Sequence, residues 1–291
     1  MMAPEGALAL ARFAFYAAAM AMFGWACFTG LLAPRALGQQ VAAASARPLA
    51  ATGWLALAAT LVWLPLEAAT IGGWEMAGDG GTLRDLAFGT VIGWAWLVRL
   101  ALCVLMLVAL ALRAPALRVA LSGLLLASVA LSGHANMHEG AYGVLHHAND
   151  ALHVLGAGFW LGSLVMLPAC LGLLGRPATR QAATVALRRF SRAGHGAVAL
   201  VLVSGIANTL LILGHLPLDA SSPYQRLLAL KIVLVILMIV VALANRYVFM
   251  PRLGDAPEQA VARIRHGTFA ELVLGGGVLA LVAWFGLLDP V

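Results

Sequence analysis

FAFYAAAMAMFGWACFTGLLA, residues 13–33, contains no charged residue. Pro34 and Arg35 follow it at once. An uncharged apolar run of about 20 residues is what a helix needs to cross the hydrocarbon of a bilayer. Only a helix satisfies its own backbone there, so this stretch reads as a membrane span rather than a buried soluble helix. It is too long, and flanked wrongly, for a cleaved leader, and no cleavable signal peptide is evident. The rest of the 291 residues follow suit: 63% are hydrophobic and 10% are charged. Soluble domains carry about 25% charge and about half apolar residues. The expected class is an all-α polytopic membrane bundle forming a single domain over 1–291.

Eight transmembrane helices are predicted, near 8–33, 49–71, 86–112, 118–134, 148–174, 191–214, 226–250 and 267–288. The breaks fall at Pro34, Gly72-Gly73, the Arg113–Arg118 turn around Pro115, Gly175-Arg176-Pro177 and Pro251. The fourth run is the shortest and soon meets His134. Thirteen of the 18 basic residues fall on one side of this arrangement: Arg35, Arg47, Arg113, Arg118, five between Arg176 and Arg192, and four between Arg246 and Arg265. The positive-inside rule places that side in the cytoplasm and both termini outside, on the periplasmic face of a bacterial inner membrane. The net charge of +6 is then an orientation and lipid signal, not a nucleic-acid footprint. Residues 178–189 are expected to lie as a short amphipathic helix on the inner surface.

The histidines run the other way. SGHANMHEGAYGVLHHANDALHVLGAGFWLG, residues 132–162, holds five of the eight. His134 and His138 are four apart, and His146, Asp150 and His153 are spaced i, i+4 and i+7, so on helices each set shares a face. Ionisable groups at membrane depth usually face a bundle interior and mark an ion path or cofactor site. Neutral imidazole and carboxylate suit a borderline metal, and divalent affinity peaks at copper. The candidate metal ligands are therefore His134, His138, His146, His147, Asp150 and His153, with Met137 adjacent. His195, His215 and His266 read as ordinary contacts or solvated groups, and the methionines of the apolar helices as packing. Cys27, Cys103 and Cys170 lie in apolar runs without a CxxC and read as core residues. Deeper polar groups need partners: Arg99, Glu67 and Lys231 (a possible pair), Asn208, and Glu271, for which an ion pair with Arg246 or Arg192 is expected.

The pieces TVIGWAWLVR (90–99), SGHA (132–135), NDALHVLGAGFWLGSL (149–164), RRFSRAG (188–194), SGIANTLL (204–211), SPYQRLLALK (222–231) and ANRYVFMPRL (244–253), followed by the terminal span with Glu271, occur in an order that resembles the CopD/PcoD family of bacterial inner-membrane copper resistance proteins. The resemblance implies a copper ion as cargo, transport or uptake serving copper homeostasis, and a separate periplasmic carrier of the CopC type as partner. It carries over to His134, Asp150, His153, Trp160 and Gly162; the other histidines rest on spacing alone, and SPYQ departs from the family's SPYG. Three other readings stand beside it. A b-type haem could take axial histidines from facing helices, such as His134 and His153. A metal-assisted hydrolase would want HExxH, but position 142 is Tyr, so no enzyme is expected. A scaffold for another copper protein would retain no metal.

Overall fold

The computed structural model describes residues 2–217, 219–253 and 257–290, which are helices and turns with no strand among them. Eleven α-helices follow in chain order. They are α1 (Pro4–Cys27), α2 (Arg35–Ala44), α3 (Ala46–Gly72), α4 (Gly80–Gly89), α5 (Val91–Ala111), α6 (Pro115–Ala127), α7 (Gly140–Leu164), α8 (Leu167–Leu173), α9 (Pro177–Leu213), α10 (Pro223–Ala244) and α11 (Pro257–Phe285). Proline opens α1, α6, α8, α9 and α10 in the first turn, where its missing N–H costs nothing. Gly214, at φ 72°, ends α9 in the left-handed conformation.

Six of these helices are long and apolar enough to cross a membrane, and a seventh span arises if α7 and α8 are taken together across their 41° bend. Pro168 explains the bend: it cannot donate to the carbonyl of Leu164, so the ladder breaks there. The predicted fourth span meets a shorter helix, α6 with its 3₁₀ extension to Leu131. At about 1.5 Å per residue that segment reaches about 25 Å, short of a hydrocarbon core of about 30 Å. Arg99 shows why it stops. Its guanidinium, 2% exposed, donates to the Ser128 carbonyl at 3.1 Å and to the Ser132 hydroxyl at 2.8 Å. It thereby satisfies backbone that a longer helix would have bonded internally. The rings of Trp63 and Phe15 cover it at 4.5 and 5.3 Å. The predicted surface helix over 178–189 is instead the first part of α9, a continuous 37-residue rod.

α1 lies against α3, α6, α7 and α11. Its membrane-length window is 56% buried inside the protein against 11% for α10, so α1 is the central post and α10 the lipid-facing one. Glycine permits the closest crossing. A Cβ on Gly24 would fall inside the backbone of Gly162, and one on Gly162 inside the backbone of Met20. Ser163 Oγ donates to the Gly24 carbonyl at 3.2 Å across the same contact. The fold thus holds α7, the histidine-bearing helix, directly on its most buried element.

Candidate metal site at the histidine end

The segment between α6 and α7 is folded back by two glycines. Gly133 has φ 109° and Gly140 φ 63°, values that favour a residue without Cβ. Between them His134–Met137 form a 3₁₀ turn and His138 is extended, at φ −116° and ψ 143°. The expectation that His134 and His138 share one helical face is therefore corrected: the glycines break the helix there. The chain passes so close over α7 that a Cβ on Gly143 would strike the His138 carbonyl.

This return brings His138 onto His146. Their Nδ1 atoms are 2.9 Å apart and the rings are tilted at 55°. His146 is 1% exposed, and Tyr142 closes the other side of His138 edge-on, with centroids 4.7 Å apart. Two ring nitrogens at this distance share one hydrogen, so one presents a lone pair to the other. A tetrahedral ion with nitrogen bonds of ~2.0 Å separates its donors by about 3.3 Å, so exchanging the shared hydrogen for a metal needs only a small parting of the rings.

The neighbours are tuned by what they touch. His147 Nδ1 lies 2.7 Å from the Ala130 carbonyl, an acceptor, so Nδ1 carries the hydrogen and Nε2 keeps its lone pair. His134 meets the Tyr224 ring edge-on at 5.5 Å, and its Nε2 is buried with no hydrogen-bond partner. Burial, aided by the positive charge of Arg12, holds the His134 imidazole below the ordinary histidine value, so it stays neutral.

One to two turns further along α7 a second group forms against α9. Asn149 donates to the Ser204 carbonyl at 2.9 Å and to Asn208 Oδ1 at 2.7 Å. Asn208 in turn donates to Asp150 Oδ1 at 3.0 Å. The Ser204 hydroxyl gives its hydrogen to the Leu200 carbonyl. His153 Nδ1, 3.0 Å from that hydroxyl, is then the donor, and the ring also meets the Val201 backbone. The six predicted residues thus divide: His138, His146, His147 and His134 around the loop, and Asp150 with His153 below. Among the described residues no three His, Cys, Asp or Glu side chains stand together in a metal-holding group.

Sequence reading assigned no role to Asn149, Ser204 or Tyr224, and marked Asn208 only as a deep polar group in need of a partner. The Ser204/Asn208 spacing of four, opposite NDALH, was the available signal. The suggested Glu67–Lys231 pair does not form: Glu67 accepts from Trp63 Nε1 at 3.0 Å, and Lys231 Nζ lies 5.8 Å from the Phe285 ring centroid. Glu271 is not paired with arginine either; Asn245 Nδ2 donates to it at 2.9 Å.

Residues 1–144 match the family described as "Copper resistance protein D-like, N-terminal domain", and residues 184–285 match "Copper resistance protein D". "Inner membrane protein YebZ" of Escherichia coli K12 is 33% identical over 293 residues, covering 96% of this chain and 97% of that protein. "Copper resistance protein D" of Pseudomonas syringae pv. tomato is 34% identical over 302 residues, covering 96% and 95%. The chain belongs to the copper resistance protein D family. A third relative, "Copper transport protein CutJ" of Bacillus subtilis, is 31% identical over 199 residues, covering 62% of this chain and 36% of that protein. No solved structure matches. Within this family member the N-terminal match ends in the first turn of α7, so His134 and His138 lie inside it, whereas His146, His147, Asp150 and His153 fall between the two matched segments. Family membership and the apolar helices make this a copper-related membrane protein.

Proposed function

We propose that this protein binds copper at the histidine end and admits it to the helix bundle, as a carrier without its own nucleotide-driven power. The observation that carries the reading is the meeting of His138 and His146 ring nitrogens at 2.9 Å. Supporting it are the lone pair inferred on His147 Nε2, the Asp150 carboxylate and the His153 imidazole, which follow in order along α7. Copper would dock between His138 and His146, with His147 and His134 in reach of the same loop, and pass down to Asp150 and His153. The arginine distribution supports a periplasmic position for this end, where a separate CopC-like carrier would deliver the ion.

Calorimetry on the purified chain in detergent, with Cu(I) under reducing conditions and with Cu(II), tests the reading. A His138→Ala, His146→Ala double substitution is expected to lose a binding equivalent, and His153→Ala to weaken the remainder. Unchanged stoichiometry and affinity in both variants defeat the ligand assignment. A Soret band in the purified protein overturns copper in favour of haem.

A further inference from the structure

The arginine end holds a buried acid that the copper reading does not use. Glu271, on α11, is 2% exposed. An ionised carboxylate so placed demands a cation or several donors. Among the described residues no ion pair reaches it: its donors are neutral, Asn245 Nδ2 at 2.9 Å and the Trp160 indole. The adjacent Arg246 sends its guanidinium to the Ser191 hydroxyl and over the Tyr247 ring at 5.5 Å. Its Nε is buried without a partner.

The Asn245 amide is held in place deliberately. It opens a π-helical turn, Asn245–Phe249, at the end of α10. Such one-turn insertions are frequent at functional sites. Gly267, one turn before Glu271, makes the room: a Cβ there would collide with the amide oxygen. Yet that oxygen, Asn245 Oδ1, is buried with no donor. A buried acceptor left unmet bears the full cost of its lost hydration.

Both residues line a cavity of about 260 Å³ between α7, α8, α9, α10 and α11. Trp160 comes from α7, and the α8 lining is apolar. The other titratable groups facing it are His195 from α9 and Arg246. His195 is already engaged, with Nδ1 at 2.7 Å from the Ser191 carbonyl and Nε2 at 3.2 Å from the Tyr247 hydroxyl.

We infer that Glu271 is a proton-binding site: at neutral pH it carries its proton, pairs as an acid with the Asn245 amide, and exchanges that proton through the cavity with the arginine-rich side. A neutral carboxyl offers one O–H donor and one carbonyl acceptor, and a primary amide offers one of each. Pairing them keeps the observed bond from Nδ2 and gives Oδ1 the donor it lacks. An ionised carboxyl offers acceptors only and leaves Oδ1 unmet. When the acid releases its proton to water in the cavity, the Asn245 amide and the Trp160 indole are the donors that remain on the resulting charge. The site stands without the copper reading, and its test contains no copper.

Infrared spectroscopy on the full chain in lipid nanodiscs, in H₂O and D₂O across neutral pH, reads the proton directly. The wild type is expected to show a protonated-carboxyl C=O band that shifts in D₂O and is absent from Glu271→Gln, which keeps the shape and the amide contact. Gly267→Ala, which displaces Asn245, should move the band. Identical wild-type and Glu271→Gln spectra throughout overturn the proposal. So does a band that sodium removes at fixed pH, which makes the site a cation site instead. If the Gln variant fails to fold, the Gly267→Ala band position decides, and no shift overturns the proposal.

Discussion

The two ends of the helix bundle treat their ionisable groups oppositely. At the histidine end, side chains capable of donating lone pairs face each other or are aimed by a fixed hydrogen bond: His138 on His146, His147 on the Ala130 carbonyl, His153 on Ser204. At the arginine end they are kept apart. Glu271 has an amide and an indole rather than a cation, and Arg246 turns to Ser191. Two facing imidazole nitrogens suit one shared cation. A solitary buried acid beside an unmet acceptor suits a proton. The difference teaches that burial alone does not identify an ion site; the pairing of donors with acceptors does.

Three substitutions break or sharpen this comparison. The largest effect belongs to the crossing that fixes α7 between the two ends. Gly162→Leu would drive a side chain into the α1 backbone at Met20, where neither element can yield. The expected outcome is loss of folded protein, a destabilisation above about 4 kcal/mol, read as absent monodisperse material in detergent. Normal recovery with an unchanged copper affinity would show that the two ends do not depend on this contact.

A smaller effect is expected where the comparison turns on hydrogen-bond direction. Ser204→Ala adds no bulk at this buried position and removes the acceptor that fixes the His153 hydrogen on Nδ1. Groups that orient a ligand typically contribute 10–100-fold in metal affinity. Copper affinity is expected to fall about tenfold by competition titration, with the Glu271 infrared band unmoved. A shift of both readouts together would merge the two ends into one coupled network.

The smallest effect is a pH dependence. The buried His134 imidazole titrates below an unfolded histidine, mainly through desolvation. The unfolded chain therefore takes up a proton first as pH falls below about 6.5. Its stabilising contribution is complete above that value and is lost on acidification through the lower folded value. Melting temperature between pH 7.5 and 5.5 should drop less in His134→Gln than in the wild type. Parallel curves would remove the burial effect assigned to this ring.

Much of the fold is legible in the sequence because lipid imposes long uncharged runs, and the prolines and glycines mark the breaks. What escaped were features set by contacts distant in sequence. The short α6 depends on Arg99, 29 residues before Ser128, capping its end. The bend after Leu164 was visible in Pro168, but an apolar run on both sides hid it. The candidate ligands were legible as residue types, and the helical spacing of His146, Asp150 and His153 holds within α7. Their partition was not, because His138 reaches His146 only through a loop whose course two left-handed glycines dictate. The expected arginine partner of Glu271 followed from matching depth, and depth does not reveal that Arg246 points to Ser191.

X-ray absorption at the copper edge on the loaded, full-length protein tests the central claim most directly. The account predicts imidazole scattering from at least two histidines in the wild type, and a smaller copper load with weaker imidazole scattering in the His138→Ala, His146→Ala variant. A spectrum that is the same in both, or one dominated by sulfur, would contradict a copper site built on the meeting of those two rings.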